Sequence, residues 1–586
     1  MTERTVPDIP PFDRRFFDGK ERFTRIGRGE VGGKGAGLLR IHELLLAHLE
    51  PGTFPGLAVD VPTLTVVATD MFDAFMERNQ LYDVVREGLP DDRLANAFQQ
   101  AELPTELLGD LRALVEQVHQ PLAVRSSSLL EDALYRPFAG VYATKMIPNN
   151  QPDPDTRFRR LVEAVKFVYA STFFASARNY VRMTEHRIED EKMAVLIQEV
   201  LGRRHGERFY PDVSGVARSY NFYRFGHARP EDGVAMLALG LGKTIVDGGL
   251  AWSYSPAWPR AAPPVASARD TLDQTQTQFW AVNLGKPPAY DPTRETEYLV
   301  QARIQDAERD GTLQHVASTY EPGSDRLSPG TARPGPRVVN FAPLLLHEVA
   351  PLNAVVRRLL ADSQRALGEK VEIEFAMTLG DQASVAGRFG FLQVRPLVVS
   401  HAFVAIEPGD LRAEGLVVAS RNVMGNGVVE GLGDIVYARP EAFEPRVSRL
   451  VGAEIGARND ALLEAGRPYL LIGFGRWGSA DPSLGIPVGW GQICGAKAIV
   501  EATLPTMNVD LSQGSHFFHN MSSFQVSYFC VRHDGDDRLD WAWLARQRAV
   551  TETDFVRHVR LDVPLLVKVD GRTGHGVVRA GAGRND

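Results

Sequence analysis

The sequence predicts a mixed α/β protein of several domains, and three observations support this prediction. The chain has 586 residues, which is too long for one ordinary core and suggests roughly three or four domains of about 150 residues. From about residue 60 to 118, short apolar strands alternate with amphipathic helices, as in VPTLTVV followed by DMFDAFMERN. Beyond about residue 400 the pattern changes to glycine-rich strand and turn segments, so we expect the principal boundary near 400–412.

Composition limits the classes of function. The apolar fraction of 44% and the charged fraction of 24% are typical of a soluble globular protein. A net charge of -8 argues against nucleic-acid binding, which usually needs a basic face. No apolar stretch approaches the ~20 residues of a membrane span, and the polar N-terminus lacks the apolar core of a secretion signal. Two cysteines, Cys494 and Cys530, are too few for a disulfide framework and are expected to be buried thiols. We therefore predict a cytoplasmic protein.

Regular elements are predicted at several places. Residues 156–186 have the pattern of one long helix, whose aromatic side chains recur at helical spacing and are expected in the core. A second helix is predicted over 352–367, followed by the strands VEIEFAMTL and FGFLQVRPLVV.

The glycine run Gly32–Gly37 contains Lys34 and precedes the helix-like LLRIHELLLAHL. A glycine-rich loop before a helix suits an anion, because unpaired amides at the helix start point towards it. The run is not a Walker A motif, since no Lys-Ser/Thr pair closes it. When this run is taken alone, a structural turn explains it better than an anion site does.

A second candidate segment is Val124-Arg125-Ser126-Ser127-Ser128, a strand that ends in an arginine and hydroxyls. These groups offer a bidentate cation and hydrogen-bond donors for phosphate oxygens. Glu131-Asp132 and the turn at Phe138-Ala139-Gly140 follow closely.

A third segment pairs carboxylates with an amide and an arginine. Alternation along a strand places Glu372 and Glu374 on one face, and does the same for Gln393 and Arg395 on the next strand. A carboxylate and an amide oxygen suit Mg²⁺, which usually bridges substrate phosphates. An ordinary cross-strand ion pair is the alternative that the spacing leaves open.

Together these segments resemble the phosphoenolpyruvate synthase and pyruvate phosphate dikinase family. The motifs GGKGAGL, VRSSSLLED…FAGVYAT, VLIQEVLG, SGVARS, GLGKTIVDGG and EIEFA…FLQVRP occur in the order seen in that family. The resemblance implies an ATP-grasp module that closes two lobes over ATP. It divides the chain into an N-terminal lobe over 1–190, a C-terminal lobe over 191–405 and a smaller α/β domain over 406–586.

The resemblance also assigns roles to individual residues. It implies that Lys34 and Arg125 contact the ATP phosphates and that Arg395 is the cation at the transferred phosphates. It implies further that Glu374 and Gln393 are Mg²⁺ ligands. The segment Gln198, Glu199 and Val200 is similar to the one that borders the adenine. Lys243, in GLGK, stands where the family is expected to have an acidic residue.

Members of the family relay phosphate through a histidine on a swivelling domain. The segment VVASRNVMGNGVVEGLGDIVYA resembles the opening strands of that domain, without its usual histidine motif. The nearest candidate carrier is His516, which follows Gly514 and Ser515, small residues that leave room for a phosphate. The neighbouring Phe517 and Phe518 favour a buried structural histidine instead, and His519 is a further alternative.

Two other features bear on the acceptor. The residues after the module are too few for a pyruvate-binding barrel of about 250 residues, so we do not expect phosphoenolpyruvate synthesis by this chain alone. The loop Gly473–Pro482 carries Arg476 and Trp477, which suit either a small anion pocket or a tight turn plugged by an aromatic ring.

The sequence and the resemblance thus predict an ATP- and Mg²⁺-dependent phosphotransferase. Its expected partners are ATP and an unidentified acceptor, with a homodimer or a separate acceptor protein also considered, and with neither nucleic acid nor membrane. In the family, a pyrophosphoryl-histidine often forms with release of AMP. The alternatives are an ATP-sensing regulatory protein that does not turn over its nucleotide and one component of a split dikinase system.

Overall fold

The computed structural model describes a chain that divides into two compact units. The residues described are 9–14, 22–43, 49–50, 52–129, 142–182, 190–221, 228–247, 249–261, 268–273, 275–380, 386–397, 404–479, 481–506, 521 and 526–581. Unit 1 comprises Met1–Ser219, Asp232–Ile245 and Leu250–Pro396, and unit 2 comprises Tyr220–Glu231, Val246–Gly249 and Leu397–Asp586. Among the described residues, none of the helices combines the length and the apolar character that crossing a membrane requires.

Unit 1 combines strands and helices throughout. Its strands are β1 (Phe23–Ile26), β2 (Leu57–Asp60), β3 (Leu64–Val67), β4 (Leu122–Ser128), β5 (Thr144–Ile147), β6 (Met193–Glu199), β7 (Arg203–His205), β8 (Arg208–Tyr210), β9 (Val213–Arg218), β10 (Val234–Ala238), β11 (Trp252–Tyr254), β12 (Gln278–Asn283), β13 (Leu299–Arg303), β14 (Ala317–Glu321), β15 (Arg326–Pro329), β16 (Arg337–Val339), β17 (Val371–Thr378) and β18 (Gly387–Pro396). Its helices are α1 (Gly32–Ile41), α2 (Thr69–Arg78), α3 (Leu81–Arg86), α4 (Asp91–Gln100), α5 (Thr105–Gln117), α6 (Pro154–Ser171), α7 (Ala175–Arg182), α8 (Lys243–Val246), α9 (Ala268–Asp273), α10 (Ile304–Arg309), α11 (Ala342–Leu345) and α12 (Leu352–Leu367).

The first lobe of unit 1 is built on a sheet in the order β1-β3-β6-β4-β5. Only the β1–β3 pair in this sheet is parallel. Helices α2 and α6 pack against the sheet, and an aromatic cluster fills the space between the helices. Its members, all fully or nearly fully buried, are Phe72, Phe75, Phe98, Tyr169 and Phe173. Two of these rings belong to the segment 156–186, so the prediction that its aromatics form core is confirmed.

The same segment is not one helix, however. It forms α6 and α7, separated by a turn at 172–174. Helix α6 begins two residues earlier than predicted because the Asp153 side chain accepts hydrogen bonds from the amides of Asp155 and Thr156. It ends where the Ser171 hydroxyl donates to the Val168 carbonyl at 2.7 Å, a local bond that competes with helix continuation.

The second lobe contains a six-stranded sheet in the order β11-β10-β9-β17-β18-β2. The predicted helix over 352–367 is α12, which packs on β17 and ends at Gly368 with φ +78°. The predicted strands that follow are β17 and β18, paired as an antiparallel hairpin. Two smaller sheets, β13-β12-β8-β7 and β15-β14-β16, complete the unit.

Unit 2 is built on one large sheet in the order β20-β26-β25-β22-β21-β29-β30-β19-β27, with β28 paired to β29. Four adjacent strands, β21, β22, β25 and β26, run parallel, and β29 pairs with β21 antiparallel. The strands are β19 (Leu416–Ser420), β20 (Val423–Met424), β21 (Gly427–Ala438), β22 (Tyr469–Phe474), β23 (Arg476–Trp477), β24 (Gly485–Ile486), β25 (Ala496–Ala502), β26 (Ser527–Val531), β27 (Arg538–Leu539), β28 (Ala549–Glu552), β29 (Val556–Asp570) and β30 (His575–Arg579). The helices are α13 (Ser448–Glu464) and α14 (Trp541–Arg546).

Both cysteines lie in unit 2 as buried thiols that form no disulfide among the described residues, as predicted. Burial raises the pKa of the Cys494 thiol to about 12, so this group stays protonated near neutral pH. The mixed α/β class and the smaller α/β domain after residue 400 are confirmed as well.

Candidate functional site

Lys34 lies in the first turns of α1, beside β4. Its buried ammonium group donates to the Ser126 hydroxyl at 3.1 Å. One residue along each element, the Gly35 amide donates to the Ser127 hydroxyl at 3.1 Å. These two bonds fix the start of α1 against the end of β4, and they bring the glycine run and the arginine-serine segment together.

The glycine run itself was predicted as a loop before a helix, and this prediction was wrong. Residues 32–37 already belong to α1. The physical reason lies at Gly32, which has φ +72° and passes so close to β4 that a Cβ would meet the Ser127 carbonyl oxygen at 1.8 Å. Only glycine allows this approach, and the helix can therefore begin directly on the strand.

Arg125, on β4, reaches the β17–β18 hairpin of the second lobe. Its Nη2 donates to Gln393 Oε1 at 2.8 Å and lies 3.5 Å from Glu374 Oε2. Its Nη1 donates to the Leu392 carbonyl at 2.9 Å and to Gln198 Oε1 at 3.2 Å. A single guanidinium thus connects β4, β6, β17 and β18 and is only 12% exposed.

The β17–β18 hairpin has the arrangement predicted from strand alternation. Glu372 stands opposite Arg395 and Glu374 stands opposite Gln393. Arg395 Nη2 lies 2.6 Å from Glu372 and 3.1 Å from Glu374. The cross-strand ion pair considered as an alternative is therefore present, and it shares its glutamates with the rest of the constellation.

Arg218, on β9, is a site residue that the sequence reasoning did not single out. It stands opposite Glu372 in the sheet, and its Nε donates to Glu372 at 2.6 Å. Arg218 and Arg395 are each 3% exposed, and Glu372 between them is fully buried. The only signal in the sequence is the position of Arg218 inside the SGVARS motif.

The oxygen atoms proposed for Mg²⁺ lie close to one another. Gln393 Oε1 and Glu374 Oε2 are both within 3.5 Å of the same nitrogen, Arg125 Nη2, so they already share one cationic group. Mg²⁺ commonly takes one or two protein oxygens and completes its shell with water and substrate phosphates. This pair of residues therefore fits the ion.

Positive charge predominates around these oxygens. Within the part of the chain that the structure describes, Arg125, Arg218 and Arg395 contact the two carboxylates of Glu372 and Glu374. Buried arginines in such a setting offer fixed, planar donors to phosphate oxygens. The arrangement suits a polyphosphate.

Gln198 contributes a side chain to the same face of the first sheet as Arg125. It is 1% exposed, and its Oε1 accepts from Arg125. Its Nε2 is buried and has no hydrogen-bond partner among the described residues. A buried amide donor in this position costs free energy unless a ligand accepts from it.

Glu199 faces away from Gln198, as consecutive residues of a strand do. Both its oxygens accept from Arg388, at 3.0 and 3.2 Å, and Arg388 also holds Asp60. Although burial opposes it, these two carboxylates raise the pKa of Arg388 above its usual value. The Val200 amide donates to the Pro121 carbonyl at 2.9 Å. A role for Glu199 and Val200 beside the adenine stays a prediction.

Lys243, the residue that departs from the expected family pattern, begins α8. Its ammonium group lies 6.0 Å from the centre of the Trp280 ring, at the outer limit for a cation–π contact. The preceding turn is fixed by the Ser214 hydroxyl, which donates to the Gly240 carbonyl at 2.7 Å.

Several predicted residues lie outside the described residues. They are His516 with its neighbours from Gly514 to His519, the acidic pair Glu131-Asp132 and the turn Phe138–Val141. In unit 2, Trp477 is 3% exposed and its indole donates to the Val500 carbonyl at 3.2 Å. Its ring is buried inside the turn, so neither of its faces is accessible to a ligand in this structure.

A comparison with family models decides the relationship. Residues 28–411 match the model described as pyruvate phosphate dikinase, AMP/ATP-binding domain. The chain belongs to this family. The match covers more than half of the chain and includes every described residue of the constellation, and it confirms the ATP-grasp-type module predicted from the motifs. A search of curated proteins finds no match.

Proposed function

We propose that the chain is an ATP- and Mg²⁺-dependent phosphotransferase that binds ATP between the two lobes of unit 1. The observation that carries this proposal is the position of Arg125, which leaves the first lobe and meets Gln393 and Glu374 of the second. Nucleotide binding alone needs fewer charged side chains than are gathered around Arg125. A set of cations gathered beside two oxygen ligands is what phosphoryl transfer requires.

In this proposal each residue has a defined task. Lys34 and Arg125 bind phosphate oxygens, and Arg395 neutralises charge at the phosphates being transferred. Gln198 directs its buried amide towards the nucleotide, with Glu199 and Val200 along the adenine. Glu374 and Gln393 hold Mg²⁺, which when bound would offset the negative charge of the phosphates. Catalysis would then come from positioning and electrostatics.

Glu372 has a supporting task. It is fully buried and lies between Arg218 and Arg395, so it holds the Arg395 guanidinium in a fixed orientation. Preorganised donors of this kind require little rearrangement during reaction. Arg218 is a positioning residue in the same sense, since it acts through Glu372.

A second candidate is an ATP-sensing protein without turnover. It is favoured by Arg395, which already has two carboxylate partners and is 3% exposed. The split system, in which a separate chain supplies the acceptor, is compatible with either function.

The two candidates differ in the fate of the phosphates. Incubation with ATP labelled at the β or the γ position, followed by measurement of acid-labile protein phosphate and of AMP against ADP, distinguishes them. A phosphotransferase releases AMP or ADP and labels the chain or an added acceptor. Absence of both label and hydrolysis in the presence of Mg²⁺ and candidate acceptors would leave the sensor.

The same labelling experiment tests the carrier. We propose His516 as the phosphorylated residue, with His519→Ala as the matched control because it removes a neighbouring imidazole. Loss of label in His516→Ala alone supports the assignment. Label that survives in His516→Ala excludes it.

A further inference from the structure

Asp434, on β21 of unit 2, is a buried carboxylate with three donors around it. Its side chain is 1% exposed. It accepts from Arg467 Nε at 2.7 Å, from Arg560 Nε at 3.0 Å and from His558 Nε2 at 2.8 Å. These residues lie beyond 411, outside the part of the chain that the family model matches.

The charges in this cluster do not balance. Two guanidinium groups meet one carboxylate, and burial lowers the pKa of His558 as the largest influence on that group, which favours its neutral form near pH 7. Arg560 binds Asp434 Oδ1 through its Nε, whereas Arg467 binds Oδ2 through both Nε and Nη2, at 2.7 and 2.5 Å. The cluster therefore has one positive charge in excess.

Three of the four outer nitrogens of the two arginines remain available, since Arg467 Nη2 pairs with Asp434. Arg467 is 39% exposed and Arg560 is 45% exposed. Among the described residues, neither Nη1 nor Nη2 of Arg560 has a hydrogen-bond partner, and the same holds for Nη1 of Arg467. Asp434 thus holds two half-exposed guanidiniums side by side, with N–H groups directed past the carboxylate.

A third arginine adds to the positive potential. Arg458, on α13, donates to the Thr551 hydroxyl at 3.1 Å, and Thr551 stands opposite His558 between β28 and β29. Arg458 is also close enough to His558 to lower the pKa of its imidazole. Arg560 on β29, Arg458 on α13 and Arg467, which follows α13, therefore add positive potential around Asp434 and His558.

We propose that Arg467 and Arg560, oriented by Asp434, form a binding site for a phosphate group carried by a small molecule. A pair of planar guanidiniums can offer several N–H donors to the oxygens of one phosphate. Because Asp434 fixes both side chains beforehand, little side-chain entropy is lost when the anion binds. The inference does not rest on the proposed function of unit 1.

Inorganic phosphate is the probe for this site. Isothermal titration calorimetry at pH 7.5 on the full chain, with Arg467→Gln and Arg560→Gln, measures the affinity directly. Arg446→Gln is the matched control, since Arg446 is 80% exposed in unit 2 and pairs only with Glu444 among the described residues. Arg125→Met reports phosphate bound in unit 1.

The expected result is saturable phosphate binding that weakens about tenfold or more in Arg467→Gln and in Arg560→Gln. Arg446→Gln and Arg125→Met should bind phosphate at this site with the wild-type affinity. Where loss of a partner of Asp434 unfolds the chain, Arg560→Lys keeps the charge but not the planar fork, and it should weaken binding severalfold.

Three outcomes overturn the proposal. One is a folded wild-type chain without saturable phosphate binding. Another is an affinity that disappears only in Arg125→Met, which places the phosphate in unit 1. The third is equal binding by Arg560→Lys, Arg560→Gln and wild type.

Discussion

Arg125 of the first lobe donates a 2.8 Å hydrogen bond to Gln393 of the second, although 268 positions separate the two residues in the chain. The same nitrogen lies 3.5 Å from Glu374. This contact joins the predicted phosphate-binding strand to the predicted metal ligands.

Replacement of Arg125 by lysine should weaken ATP binding by about tenfold or more, because lysine keeps the charge but cannot bond two groups as a planar fork. Titration calorimetry with a non-hydrolysable ATP analogue measures the effect. Arg112→Lys is the matched control, since Arg112 is a 43% exposed arginine of the same lobe that pairs with Glu116 and Asp155. Equal affinities in the two variants would contradict the assignment.

The two glutamates of β17 should respond differently to the same change. Glu372→Gln leaves Arg218 and Arg395 without their buried counter-charge, and we expect a loss of about 3–5 kcal/mol in the free energy of unfolding. Glu374, which is 17% exposed, should lose far less stability when changed to Gln. Instead, Glu374→Gln should raise the Mg²⁺ concentration needed for half-maximal ATP turnover, because it removes a charged ligand.

Urea denaturation and a magnesium titration of activity separate these two effects. The paired variants control for one another, because each removes one carboxylate from the same face of the same strand. A stable Glu372→Gln protein would show that its arginines find other partners. A Glu374→Gln protein with an unchanged magnesium profile would exclude that residue as a ligand.

Gly32→Ala should lower the free energy of unfolding by more than the positive φ of an alanine alone would. At this position φ is +72° and the new Cβ would lie 1.8 Å from the Ser127 carbonyl oxygen, so α1 must move away from β4. Gly52→Ala is the control, because φ is +85° there and nothing lies within 4 Å. We expect the free energy of unfolding to fall by about 1 kcal/mol in Gly52→Ala and by at least about 2–3 kcal/mol in Gly32→Ala.

Thermal or urea unfolding compares the two glycine variants. The displacement of α1 should also move Lys34 away from Ser126, so ATP affinity should fall in Gly32→Ala alone. Similar losses of stability in both variants would contradict this expectation, because they would mean that α1 can move away from β4 without a further loss of free energy.

Stability should fall as the solution becomes acidic below about pH 6.5. Burial, the largest cause, lowers the pKa of His558, while the bond to Asp434 opposes it. The unfolded chain therefore takes up this proton at a higher pH than the folded chain does. The stabilisation is complete above the ordinary histidine value of about 6.5 and decreases as pH falls towards the folded pKa.

The midpoint of urea unfolding, measured between pH 8 and pH 5, tests this expectation. His558→Gln keeps a neutral donor to Asp434 at every pH and should flatten the dependence. His42 and His205 also have pKa values lowered mainly by burial, so part of the slope should remain. If the urea midpoint of His558→Gln depended on pH as steeply as that of the wild type, the role of His558 would be contradicted.

Much of unit 1 could be predicted from local patterns. The period of the apolar residues located α12, β17 and β18, and strand alternation correctly grouped Glu372 with Glu374 and Gln393 with Arg395. The motif order placed the chain in its family. The prediction of one long helix over 156–186 was wrong, because the side chain of Ser171 donates a hydrogen bond to the backbone at the helix end. The spacing of apolar residues does not reveal such a bond.

Contacts between distant segments could not be read from the sequence. Apart from its position in the SGVARS motif, nothing local distinguishes Arg218, whose partner Glu372 is 154 positions away, from other arginines of the chain. The same holds for Arg388 with Glu199, and for Asp434 with His558 and Arg560. Ion pairs of this kind depend on which strands become neighbours in a sheet, and that is set by packing of the whole unit.

The sequence by itself determined the chemical character of the phosphate-binding strand, because Arg125 and its serines stand in one short segment with a recognisable order of motifs. Only the tertiary structure decided what Arg125 meets. Its guanidinium is oriented by Gln198, Leu392 and Gln393, which come from two other parts of the chain. A side chain's type is local, whereas its hydrogen-bond partners are fixed only when distant strands pack together and exclude water from the groups between them.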